Sequence, residues 1–171
     1  ISWDDLDPHF YSYSGLAFHV DFLATKAVRL LAGELAQSGQ MLVHRLLALT
    51  WGVLTALLIY PLATELRLRR ETAMLAALLF AILPLHVWES HFAVSDIQLA
   101  FWSTLALWLG VRAYNDPKLG RFLLGGLVVG AAMGTKFNGA LSGVTLIAAA
   151  MLAAISGERT ITTLVPRPSE E

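Results

Sequence analysis

The sequence predicts an all-α fold, a polytopic transmembrane helical bundle with an amphipathic helix lying in the membrane interface. Hydrophobic residues make up 56% of the 171 and charged residues 15%, with a mean hydropathy of +0.61. An ordinary globular domain is about 45–50% apolar and about 25% charged. The apolar residues stand in long blocks and the charges in short clusters between them, which is the pattern of spans and loops. There is no cysteine, so disulfides, thiolate metal sites and cysteine nucleophiles are excluded. A formal net charge of -1 points away from a nucleic-acid partner.

Residues 1–40 read as an extracytoplasmic loop with an interfacial helix. The stretch ISWDDLDPHFYSYSG combines Asp4, Asp5 and Asp7 with Pro8 and four aromatic rings, and such rings favour the headgroup level of a bilayer. In LAFHVDFLATKAVRLLAGELAQ the apolar residues recur at helical spacing, with Asp21, Lys26, Arg29 and Glu34 among them. That patterning suits a helix lying along the interface rather than crossing it.

Residues 41–156 read as a transmembrane bundle of about five helices, at 42–63, 73–90, 94–111, 121–135 and 139–155. The first is long enough to cross the hydrocarbon core, which takes about 20 residues, while the second and third are slightly short. The apolar block after Arg121 is too long for one span and is divided at GTKFNG. Residues 157–171 form a polar tail. The chain opens at Ile1 without a basic segment and a short apolar core, so no signal peptide is read and the sequence is taken as a fragment.

Basic residues set the expected orientation. Arg67, Arg69 and Arg70 lie in one loop and Arg112, Lys118 and Arg121 in the next but one, so both fall on one side, which the positive-inside rule makes cytoplasmic. The opposite face then receives the N-terminal loop, the segment Glu89–Asp96 and the GTKFNG break.

Three elements of that outer face carry candidate chemistry. Glu89, His91 and Asp96 fall within eight residues between two spans, and carboxylates with an imidazole suit a divalent metal or general acid–base work. The plainer reading makes them solvated loop residues. Lys136 interrupts an apolar block, where an ammonium at the bilayer centre costs on the order of 2.5–3.5 kcal/mol. Near the interface Lys136, with Thr135 and Asn138, can hold an anionic headgroup against the backbone of a glycine-flanked break, or it can simply snorkel. Arg45, near the outer end of the first span, is a second phosphate clamp or an ordinary interfacial arginine.

Three segments carry a family resemblance. LDPHFYSYSGLAFHV resembles the first extracytoplasmic loop of bacterial membrane glycosyltransferases of the GT-C superfamily, of the protein O-mannosyltransferase or family 39 type. HVWESHFAVSDIQLAFWSTLAL resembles that family's second outer loop, and GAAMGTKFNGAL is similar to its Thr-Lys-Tyr/Phe element. The matches run in order over most of residues 7–155. The resemblance implies a plasma-membrane enzyme that takes a sugar from a polyprenyl-phosphate donor and transfers it to a protein or glycan acceptor on the extracytoplasmic face. It implies Asp96 as a catalytic acidic residue, and Lys136 with Arg45 as contacts to the lipid phosphate. Use of a divalent metal, Mg or Mn, differs within the superfamily; Glu89, His91 and Asp96 are the residues that would hold it. The family's acidic His-Pro-Asp-Glu-like run belongs upstream of DPHF, so the sequence is expected to lack the first transmembrane helix and to be inactive by itself.

Two other classes compete with this reading. A transporter or flippase for an anionic lipid or solute also wants a broken helix and a lysine at a membrane face, and is expected to line a path through the spans with polar residues, which the second and third spans are read as mostly lacking. A non-catalytic assembly subunit would be indifferent to substitution of the outer-face acids.

Overall fold

The computed structural model describes residues 15–92 and 94–164. Asp4, Asp5, Asp7 and the DPHF run lie outside the described residues, as does the polar tail from 165 onward. Among the described residues the structure is helical with no strands. The elements are α1 (Leu16–Ala32), α2 (Gln37–Glu65), α3 (Arg70–Ala81), α4 (Pro84–His91), α5 (Ser95–Asn115), α6 (Leu119–Thr135), a 3-10 turn (Phe137–Ser142) and α7 (Gly143–Leu164).

The amphipathic segment folds as α1. Its end is set by Gly33, whose φ of 83° lies in the region where a Cβ is penalised, and whose N–H closes on the Arg29 carbonyl at 2.9 Å. Leu23, Leu30 and Leu31 remain exposed on this helix, as an interfacial helix requires.

The single span expected over 73–90 is two helices, α3 and α4, bent by 54° at the break between them. Pro84 explains the bend. It stands at the first helical position of α4, where its missing N–H is harmless, but it bars Leu83 from the helical region. The expected loop of Glu89 and His91 is therefore the last turn of a helix.

α5 is the central element, packed against α2, α4, α6, α7 and the 3-10 turn. Ala106 and Leu109 of α5 meet Val128 of α6 in the core, with Trp102, Leu105, Trp108 and Val129 around them. Trp51 of α2 packs in tilted contact with Phe101 and Trp102 at 4.9 and 5.6 Å between centroids. By length and apolarity α2 and the stretch Phe137–Ser156 qualify as membrane spans, and α3 with α4 makes a third if the bent pair is one span. α5 falls outside that set. A helix ringed by protein need not be as apolar as one facing lipid, and α5 holds Gln98, Ser103 and Thr104 inside the bundle. Leu57, Leu78, Leu127 and Leu141 point outward, the arrangement of a protein whose surrounding solvent is hydrocarbon.

Close helix contact depends on missing side chains. A Cβ at Gly52 would lie 2.2 Å from Ser90 Oγ and 2.9 Å from Ser90 Cβ, so α4 lies directly on the α2 backbone. There His86 donates from Nε2 to the Gly52 carbonyl at 3.1 Å. Gly52→Val is expected to lower stability by about 1–3 kcal/mol, the cost of overpacking a closed contact, read as a lower thermal midpoint in detergent; an unchanged midpoint would show that α4 does not dock on α2 as described.

The chain order places the polar groups at two ends. Asn115, closing α5, donates Nδ2 to the Glu65 carbonyl at 2.9 Å, so the ends of α2 and α5 share the side that carries the arginine-rich turns. Asp116 there pairs with Lys118 at 2.9 Å and Arg121 at 2.8 Å. The hydrogen bond from Lys118 holds the Asp116 carboxyl below its usual range, with Arg121 adding to the effect. The other end gathers α1, the starts of α2 and α5, and the end of α6.

Candidate active site

At that second end two residues singled out in the sequence meet. Asp96 lies in the first turn of α5, and Lys136 is the residue that ends α6. Each is favoured where it stands, because an acid complements the positive N-terminal pole of a helix and a cation the negative C-terminal pole. With the two poles side by side, Lys136 donates from Nζ to Asp96 Oδ1 at 2.7 Å, the short distance of a charge-assisted bond. Their side chains are 28% and 51% exposed, so the pair lies at the surface of the bundle, within reach of a ligand.

The backbone around Lys136 is fixed by a tight reversal. Lys136 itself is extended, with φ -154° and ψ 138°. Its N–H still bonds the Ala132 carbonyl at 3.1 Å, and Gly139 N–H bonds the Lys136 carbonyl at 2.8 Å. A Cβ at Gly139 would lie 2.2 Å from the Ala132 oxygen; glycine is the residue that lets the turn fold back on α6. Thr135 is 0% exposed and donates its hydroxyl to the Ala131 carbonyl at 2.9 Å. It is thus turned into its own helix and away from any headgroup. Asn138 is exposed in the 3-10 turn, and Arg45 is exposed on α2.

Glu89 and His91 keep their own company. Glu89 is half-buried on α4, and His91 donates from Nδ1 to the Val87 carbonyl at 2.6 Å. Among the described residues no group of three or more His, Cys, Asp or Glu side chains is placed to hold a metal ion. Asp96 is paired with the Lys136 ammonium and stands apart from Glu89 and His91, which belong to α4.

The structure adds a group that the sequence reading passed over. Thr25 of α1 and His44 of α2 are hydrogen-bonded at 3.1 Å between Oγ1 and Nε2. Next to them Asp21 is held above the usual carboxylate value of 3.8, first by burial and with a partly opposing pull from His44. In the sequence Asp21 is one charge among four on an amphipathic helix, and its neighbour His44 lies 23 residues away; only the docking of α1 on α2 brings them together.

A raised pKa means that burial favours the protonated carboxyl. The folded state then gains relative stability below pH 3.8, and that gain is lost as pH rises through the folded value. Asp21→Asn removes the ionisation. It is expected to raise the thermal midpoint at neutral pH, with the advantage over wild type shrinking toward zero near pH 4; an advantage independent of pH would assign the effect to packing.

An all-helical membrane bundle with a carboxylate and an ammonium joined at one end defines an integral membrane protein with a polar site at its surface. A family model described as dolichyl-phosphate-mannose-protein mannosyltransferase matches residues 3–163, and the chain belongs to that family. It is a membrane-embedded glycosyltransferase of the mannosyltransferase type. No curated protein and no solved structure matches it.

Proposed function

We propose that the protein transfers a sugar from a polyprenyl-phosphate carrier to a hydroxyl of a protein or glycan acceptor at the extracytoplasmic face of the cell membrane. The observation that carries this reading is the Lys136–Asp96 contact at 2.7 Å, which puts a phosphate-binding charge and a carboxylate side by side. Family membership supports the transferase chemistry. The arginine-rich turns at the opposite end of the bundle support the side, through the positive-inside rule.

In this mechanism the carrier phosphate enters at Lys136, with Arg45 and Asn138 as further contacts, and displaces the carboxylate from the ammonium. The bond from the sugar's anomeric carbon to the phosphate oxygen breaks as the bond to the acceptor oxygen forms. A carboxylate takes the acceptor proton, with Asp96 orienting the hydroxyl, and the electron pair leaves on the phosphate, where Lys136 neutralises it.

The test is transfer from radiolabelled polyprenyl-phosphate mannose in sealed vesicles from cells making the full-length protein, oriented inside-out or right-side-out. Transfer confined to right-side-out vesicles is the expected result. Transfer confined to inside-out vesicles would reverse the proposed face. Carrier movement across the bilayer without transfer would make the protein a flippase.

A further inference from the structure

Between α1, α2 and the start of α5 lies a cavity of about 20 Å³ lined by Asp21, His44, Trp51, Val94, Ser95 and Gln98, with small apolar neighbours. Its chemistry is concentrated for its size. Gln98 is 3% exposed, and its Nε2 has no hydrogen-bond partner among the described residues; the indole Nε1 of Trp51 has none either. A buried donor left unpaired costs about 1–3 kcal/mol, and both of these donors belong to residues that line this one cavity, so a small shift of either side chain toward an oxygen held there would satisfy it. The volume suits a single oxygen-sized group. Such a group must accept from Gln98 and Trp51 and donate to Asp21 or His44, and a hydroxyl both donates and accepts.

The cavity also has an address. Ser95 in its wall is the residue before Asp96, so the space opens beside the turn that carries the proposed catalytic carboxylate. Asp96 itself follows directly on this wall residue in the first turn of α5. We propose that the cavity is a sugar subsite, in which Gln98 and Trp51, together with one of Asp21 and His44, hold one hydroxyl of the transferred sugar and so help to select it. This inference rests on the transferase reading above.

The experiment compares polyprenyl-phosphate mannose with its 2-, 3-, 4- and 6-deoxy analogues as donors for the full-length protein, in wild type and in Gln98→Leu. Wild type is expected to lose about 10- to 100-fold in kcat/KM for one analogue, the effect of leaving buried donors and acceptors unpaired. In Gln98→Leu the same analogue and the parent donor should then differ by no more than about threefold, at the low end of what one hydrogen bond contributes. If Gln98→Leu does not fold, Trp51→Phe, which removes the indole N–H, is read in its place. Equal use of all five donors by wild type, or a variant that keeps the full discrimination, overturns the subsite and leaves a cavity for a resident water only. Mannose transfer absent in wild type for every donor overturns the transferase reading and the subsite with it, and is told apart by the failure of the parent donor.

Discussion

Lys136→Ala is expected to lower sugar transfer by about 10²–10³-fold, the scale on which removal of one group that stabilises developing charge acts, with the amount of folded protein unchanged. Asp96→Asn should fall by a similar factor. The contrast between activity and stability is what gives the prediction its force. The ion pair is 28% and 51% exposed at its two side chains, and pairs of that kind contribute about 0–1 kcal/mol to folding. An ordinary exposed ion pair would therefore be nearly silent in both measurements. The double variant should fall no further than the worse single, because groups that act on one transition state are not additive. Lys136→Arg keeps the charge and the capacity to bind phosphate, and should retain more activity than Lys136→Ala. Full activity in Lys136→Ala at normal protein level would remove Lys136 from the site. A fall accompanied by loss of folded protein would make the pair a structural clamp.

How this site is written in the sequence differs from residue to residue. Lys136 is visible because an ammonium in an apolar block has a cost that something must offset, and Asp96 because an acid stands at the mouth of an apolar helix. Their contact across 40 residues follows only from the packing of α5 on α6. Glu89 and His91 show the opposite case. Nearness in sequence suggested a common loop, but Pro84 starts a helix that carries both, and Asp96 belongs to the next helix, α5.

The same limit applies to the bundle. Long apolar blocks reveal helices because hydrocarbon leaves the backbone no other way to satisfy its polar groups. Which helix is central is not legible in that way. α5, with its tryptophans and Gln98, looks like a weak span and is the element around which the others pack. Asp21, His44, Trp51 and Gln98 each pass as ordinary residues of their own helices. Their shared cavity depends on three elements separated in sequence.

Gly139→Ala carries the second large effect, and it tests the site through its backbone. The added Cβ would lie 2.2 Å from the Ala132 oxygen, 2.3 Å from its carbon and 2.8 Å from the Met133 nitrogen. All three are backbone atoms of α6, with no flexible end to swing aside, so the turn itself must move. A shift that relieves the overlap pulls on the Gly139 N–H, which bonds the Lys136 carbonyl, and so displaces the ammonium from Asp96. Overpacking of this kind costs about 1–3 kcal/mol and sometimes more, so the thermal midpoint should fall together with transfer. Asn138→Ala is the matched control, one residue earlier on an exposed position. It should leave the midpoint in place, and any loss of transfer it shows then reports contact with the phosphate. Gly139→Ala with a normal midpoint and normal transfer would mean that the turn is not closed against α6, and the placement of Lys136 beside Asp96 would fall with it.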